Sequence, residues 1–329
     1  MRPKCPHFRW FKLTRKARNK FFYLLIFFVT SRKKYNAFED FIVRNSAALL
    51  FLCFACIICI SLFDIIFLSA EFFKLYNVED FLFGKVWQPE KHQFGILPVL
   101  IGTLYISLIA IAFAFPLSFF SAVFLAVYSK RRVSNVVKTI LEIIAGIPTI
   151  VLGFFASFFI LPRLLALCDT FGIQLSLENA IVPGIAIGFM TIPYLTTLID
   201  DAFRNVPDTL RYAGIALGIS RAELMSQILM RVAMPSIINS IIIAISRVLG
   251  ETMIVVISCG VMTIMNLNPL GPVTTITVQI VHLLTGDASM GSPMVLSAFA
   301  LSFALFVIVC VLNITSLFVN KYISRRFFT

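Results

Sequence analysis

Six stretches of this chain are long and apolar enough to cross a lipid bilayer. They cover about 46–68, 97–127, 143–167, 180–199, 236–261 and 293–318, and the third contains Pro148 and Pro162. A spanning helix needs about 20 mostly apolar residues. None of the six shows the strict polar–apolar alternation of a membrane barrel. The expected fold is therefore all-α: a polytopic membrane protein with six transmembrane helices. Composition supports this, with 59% of 329 residues hydrophobic and only 13% charged, against about 25% charged in soluble domains.

The charges are distributed unevenly. There are 28 Lys and Arg against 16 Asp and Glu, a formal net charge of +12. Twelve of the basic residues lie in 1–45. Four more follow span two (Lys130, Arg131, Arg132, Lys138), four follow span four (Arg204, Arg211, Arg221, Arg231), and three close the chain (Lys321, Arg325, Arg326). The alternate loops hold only Lys74, Lys85, Lys91 and Arg163. Basic residues collect on the cytoplasmic side of membrane proteins, so both termini are expected there, and the bilayer explains the net charge without nucleic acid. The apolar run Phe21–Val29 is too short to span and lacks a cleavage site after it. The expected organisation is a basic cytoplasmic extension (1–45) on the membrane surface, a transmembrane domain (46–320), and a basic cytoplasmic tail (321–329).

Cys53, Cys56 and Cys59 imitate a metal-ligand spacing. They lie in an uncharged apolar span with no histidine nearby, so they are expected to be small packing residues, and no metal is expected.

Two places break the apolar pattern. Span five carries Arg247 and Glu251. A charge at the bilayer centre costs about 2.5–3.5 kcal/mol on insertion scales, and such residues usually mark a substrate path. Their spacing of four puts them on one helical face, where they can pair. A guanidinium also suits an oxyanion, because it donates two parallel hydrogen bonds. The second place is the segment of about 200–235 between spans four and five. Leu210, Ala213 and Leu217, then Leu224, Ile228 and Val232, recur at helical spacing. Pro207 and Asp208 suit a helix start. Gly218-Ile219-Ser220 makes a break, and Ser220 with Glu223 forms a capping box. A pair of helices on the cytoplasmic face is expected, with Gly218 in a positive-φ turn.

These segments resemble those of one family. Ser246-Arg247-Val248-Leu249-Gly250-Glu251-Thr252-Met253 is similar to the Arg-x-Leu-Gly-Glu-Thr-Met signature of phosphate-specific ABC importer permeases. Ala145-Gly146-Ile147-Pro148-Thr149-Ile150-Val151-Leu152-Gly153 and Phe94-Gly95-Ile96-Leu97-Pro98 resemble two further segments of that family, with the PstC type closer than the PstA type. One departure is Met230-Arg231, where the family usually has Leu-Pro.

The resemblance implies a type I importer permease that moves inorganic phosphate across the bacterial inner membrane. It implies as partners a second homologous permease, two ATPase subunits and a periplasmic phosphate-binding protein. The substrate path would involve Arg247, Glu251, Thr252 and Thr149. ATPase coupling would involve Asp208, Arg211, Ala213, Ala216, Gly218, Ser220, Arg221 and Glu223. The chain has no Gly-x-x-x-x-Gly-Lys-Ser/Thr loop. ATP and Mg are accordingly expected on the partner ATPase, with no cofactor and no catalysis on this chain. The alternatives are a permease for sulfate or molybdate and a self-contained secondary transporter, which would show inverted repeats. A membrane enzyme is disfavoured because His7, His92 and His282 are scattered.

Overall fold

A computed structural model describes residues 37–261, 263, 268–289 and 291–328. Among these, six helical segments are long and apolar enough to span: Arg44–Leu75, Leu97–Tyr128, Thr149–Thr170, Ile181–Arg204, Arg221–Leu249 and Pro293–Asn320. The all-α, six-span expectation is met. Most of the basic extension, 1–36, lies outside the described residues.

The first span belongs to helix α1 (Ala37–Leu75). A short helix α2 (Val78–Phe83) and a two-stranded hairpin, β1 (Trp87–Gln88) with β2 (Gln93–Phe94), lead to α3 (Leu97–Val123). A separate helix α4 (Arg131–Ala145) follows. The third span is α5 (Thr149–Phe155) and α6 (Leu161–Thr170) joined by a π-helical turn, and the fourth is α7 (Ile181–Arg204). Then come α8 (Asp208–Ala216), α9 (Arg221–Glu223), a second π-helical turn, and α10 (Met230–Leu249). The chain ends with α11 (Met253–Ser258), α12 (Ile276–Thr285) and α13 (Pro293–Phe328).

The chain divides into two compact units, Met1–Phe63 and Asp64–Thr329. In the described part of the first, Leu50, Phe51, Ile57 and Ile60 are exposed, as are Cys53, Cys56 and Cys59. The cysteines are therefore not internal packing residues; they share a lipid-compatible surface. The second unit holds the core and both candidate sites.

Two span boundaries differ from expectation. The third span starts at Thr149, because Pro148 holds an extended backbone (ψ 135°) and separates it from α4. The fifth helical segment runs from Arg221 to Leu249 rather than over 236–261. At about 1.5 Å per residue it exceeds the roughly 30 Å hydrocarbon layer, so part of it stands outside the bilayer. Hydropathy marks the membrane-embedded portion of such a helix and not its hydrogen-bonded extent.

Helices α3 and α7 form the central pairing of the second unit. Ala110, Ala114, Ser118 and Ala122 recur every fourth residue on α3, and all are fully buried. Opposite them α7 carries Gly184 and Gly188. A Cβ on Gly188 would lie 2.9 Å from the Ala110 carbonyl oxygen. Small residues four apart let membrane helices approach closely, and the Ser118 hydroxyl uses that approach to donate to the Ile192 carbonyl at 3.1 Å. Gly188→Val should therefore force the pair apart at a cost of about 1–3 kcal/mol. The expected result is a lower thermal midpoint in detergent, while Gly291→Ala, with open space around its Cβ, leaves it unchanged.

At the other end of the unit, Phe72, Phe81, Trp87 and Phe94 form a buried aromatic cluster with rings packed edge to face. The Trp87 indole donates to the Gln279 side chain of α12 at 3.1 Å, and the Gln279 amide donates to the Val261 carbonyl at 2.9 Å. The aromatic connection between spans one and two is thus a folded element. It fixes α12, a half-buried helix too short to span.

Candidate coupling turn and transport path

The segment between α7 and α10 forms a reversed turn. Asp208 opens α8, and Gly218 follows its end with φ +74°. Ser220 then completes the capping box. Its hydroxyl accepts from the Glu223 amide at 3.3 Å, and the Glu223 carboxylate accepts from the Ser220 amide at 2.8 Å. Gly214 is buried, and a Cβ there would meet Ile219 and Leu224 at 2.9 Å. Helix α8 therefore lies tight against the start of the next helix. On the outer side Tyr212, Ile215 and Leu217 are 67%, 60% and 81% exposed, which leaves a bare apolar patch on a rigid turn.

Ala213, Ala216, Gly218 and Ser220 are exposed on this turn, together with Asp208, Arg221 and Glu223. Arg211 is different. Its guanidinium turns inward and donates to the Phe203 carbonyl near the end of α7 at 2.5 Å, so it braces the turn instead of facing outward. The expected pair of helices within about 200–235 is corrected as well, because the second is not a separate element. The helix begun by Ser220 continues into span five through the π-helical turn and past Pro235.

The second candidate site lies at the end of α10. The helix stops at Leu249, with Gly250 as its cap, so Arg247 and Glu251 do not share one helical face. Among the described residues the ion pairs are Lys138–Asp200 and Arg204–Asp200; the expected Arg247–Glu251 pair is not formed. Glu251 instead accepts from the Ile254 amide at 3.4 Å, and its backbone carbonyl accepts from the Thr277 hydroxyl of α12 at 3.0 Å. Arg247 is exposed, and its guanidinium lies 4.5 Å from the centroid of the Tyr194 ring of α7. The ring face attracts the cation and orients it without neutralising it.

The neighbours of this break are held by polar bonds between helices. Ser246 bonds Asn313 of α13 at 3.3 Å, and Ser316 donates to Asn239. The Thr252 hydroxyl donates to the Gly250 carbonyl at 3.2 Å. Thr149 stands at the first turn of α5, apart from these bonds. Its helix nevertheless packs beside α11, where Ile254 and Ile257 fill the space at Gly153 and Ser157 donates to the Ile257 carbonyl at 3.0 Å. The sequence reading missed Tyr194 and Thr277. Neither carries a local signal, because each acquires its role from a partner distant in the chain.

A helical bundle with a capped, apolar-faced turn at one end and an unneutralised arginine beside a helix break has the parts of a coupled membrane permease. Residues 114–329 match the family described as the binding-protein-dependent transport system inner membrane component. The chain belongs to this family. Among curated relatives, "Phosphate transport system permease protein PstA 1" of Mycobacterium tuberculosis is 29% identical over 239 residues, covering 72% of this chain and 74% of the relative. "Probable phosphate transport system permease protein PstC" of Methanocaldococcus jannaschii is 29% identical over 262 residues, covering 75% and 82%. Solved structures share the fold. A membrane chain of a bacterial alginate ABC transporter, crystallised with its pentasaccharide-bound periplasmic protein, matches with TM-score 0.61 at 14% identity, covering 89% of this chain and 98% of that one. A chain of the inward-facing MetNI methionine ABC transporter matches with TM-score 0.51 at 16% identity, covering 74% and 99%.

Proposed function

We propose that this chain is a permease subunit of an ABC importer that carries inorganic phosphate across the bacterial inner membrane. The observation that carries this reading is the Arg247 guanidinium, oriented on Tyr194 and in no ion pair among the described residues, within a signature shared with phosphate permeases. A dianion crossing a low-dielectric path needs a cation or several strong donors, and a guanidinium supplies a fork of them. The relatives named for phosphate transport support the substrate. Relatives of the PstA and PstC types match at the same identity; the Phe94–Pro98 and Leu249–Met253 segments favour the PstC place in the pair.

In this reading the chain conducts and couples, and ATP hydrolysis belongs to two separate ATPase subunits. The exposed Tyr212, Ile215 and Leu217 form the surface on which one of them docks. A second homologous permease completes the path, and a periplasmic phosphate-binding protein loads it. The assembly, reconstituted in proteoliposomes, should take up phosphate only with ATP inside and the binding protein outside. Uptake of sulfate or molybdate in place of phosphate would move the chain to another oxyanion.

In this reading both termini and the coupling turn face the cytoplasm, which the charge asymmetry supports. Cysteines introduced as Lys85→Cys, Leu175→Cys and Pro272→Cys, in a background without native cysteines, should react with an impermeant maleimide added from the periplasmic side. Reaction of any of them only from the cytoplasmic side reverses the orientation.

A further inference from the structure

Helix α4 is amphipathic, and its apolar residues are divided between an outward side and a half-buried side that carries Val137, Leu141 and Ile144. Val133, Val136, Ile140 and Ile143 point outward and are exposed. Ser134 and Lys138, one turn apart, face α7. Beside the half-buried apolar residues, α4 is tied to α7 by charge. Asp200, near the end of span four, is 0% exposed. Its Oδ2 accepts from the Lys138 ammonium at 2.6 Å and from the Arg204 guanidinium at 2.7 Å. Arg204 reaches further, to the Ser134 hydroxyl at 3.1 Å and the Leu125 carbonyl at 3.5 Å. The other carboxylate oxygen, Oδ1, is buried without a hydrogen-bond partner.

A buried carboxylate with one oxygen unpaired is a poor stabilising device, because desolvation offsets most of the Coulombic gain. What such a cluster does well is fix one geometry. Its position suggests why that geometry matters. On one side α7 runs into the coupling turn, which Arg211 braces against the Phe203 carbonyl. On the other side α4 runs through Gly146–Pro148 into α5, the start of span three. The cluster is thus a polar junction between the helix that carries the turn and the helix that leads into span three.

We propose that the Asp200 cluster transmits movement of the coupling turn to span three, with Lys138 as its positioning residue on α4. This rests on the ABC-importer reading. Mere proximity does not establish such a link; a change in coupling does. The measurement is phosphate taken up per ATP hydrolysed, in proteoliposomes holding the full complex and supplied with binding protein. Lys138→Met should lower that ratio about tenfold while ATP hydrolysis continues and the complex stays assembled. Lys138→Arg keeps a cation in reach of Asp200 and should restore most of the ratio.

A merely structural anchor predicts something else: lower abundance and both activities falling in step, with the ratio unchanged. That outcome overturns the proposal. Should Lys138→Met not accumulate, Ser134→Ala removes only the Arg204 hydrogen bond and should lower the ratio about threefold; an unchanged ratio there overturns it equally. If the unsubstituted complex itself hydrolyses ATP without taking up phosphate, the phosphate-import reading fails first, and the proposed link fails with it.

Discussion

Gly218→Val is expected to lower coupled uptake about tenfold or more while the chain still inserts in the membrane. Gly218 sits at φ +74°, and a Cβ placed on it meets nothing within 4 Å. Space is therefore not the obstacle; the backbone conformation is. A side chain in the left-handed region costs roughly 1–2 kcal/mol, and a β-branched one is a genuine outlier there. Two residues later Ser220 starts the next helix through its capping box, so a changed turn redirects both the cap and the apolar patch on α8. Substitution should follow backbone tolerance and not size. Asn, which visits this region most easily among non-glycine residues, should retain uptake within about threefold. Ala should be intermediate and Val about tenfold or more below the parent. Co-purification of the ATPase should fall in the same order. Equal uptake by the Asn and Val variants would remove Gly218 from the coupling assignment.

The parts of this structure that were legible in the sequence are those set by local chemistry. The spans follow from apolar length, and the turn at Gly218–Ser220 follows from glycine and a capping pair three residues apart. The parts that were not legible depend on continuity or on distant partners. The Arg247–Glu251 spacing implies a shared face only if the helix continues, and Gly250 ends it. Span five begins far outside the apolar stretch because the Ser220 cap, and not hydropathy, starts the helix. The contact of Gly184 and Gly188 with the small-residue stripe on α3 likewise joins positions far apart in the chain. Lys138 reads as an ordinary basic loop residue until Asp200, 62 positions on, is found 2.6 Å from it. Similarly α12 is too short for a hydropathy argument, yet Thr103 accepts from its Ile276 amide at 3.0 Å and anchors it inside the unit.

Arg247→Gln should reduce phosphate uptake by about ten- to a hundredfold at normal membrane abundance, the loss that follows from removing a charged hydrogen-bond donor worth about 1.5–3 kcal/mol. The side chain is exposed and in no ion pair among the described residues, so its removal strands no buried partner, and assembly should survive. Arg247→Lys keeps the charge but loses the fork and should retain partial uptake. Tyr194 tests the orientation of the cation. Tyr194→Phe keeps the ring face and should behave like the parent, whereas Tyr194→Leu removes it and should cost about 0.5–2 kcal/mol of positioning. Glu251 separates the two views of this site. As a charge partner of Arg247, its neutralisation would change how tightly the anion is held, and a path charge that binds too strongly stops conduction. In this structure it caps α11 by accepting from the Ile254 amide, which a glutamine oxygen can also do. Glu251→Gln should therefore be mild and Glu251→Ala worse, with uptake and abundance falling together in the latter. Full uptake by Arg247→Gln at normal abundance would reduce Arg247 to a packing residue on Tyr194 and move the anion path to the hydroxyls of Thr149 and Thr252.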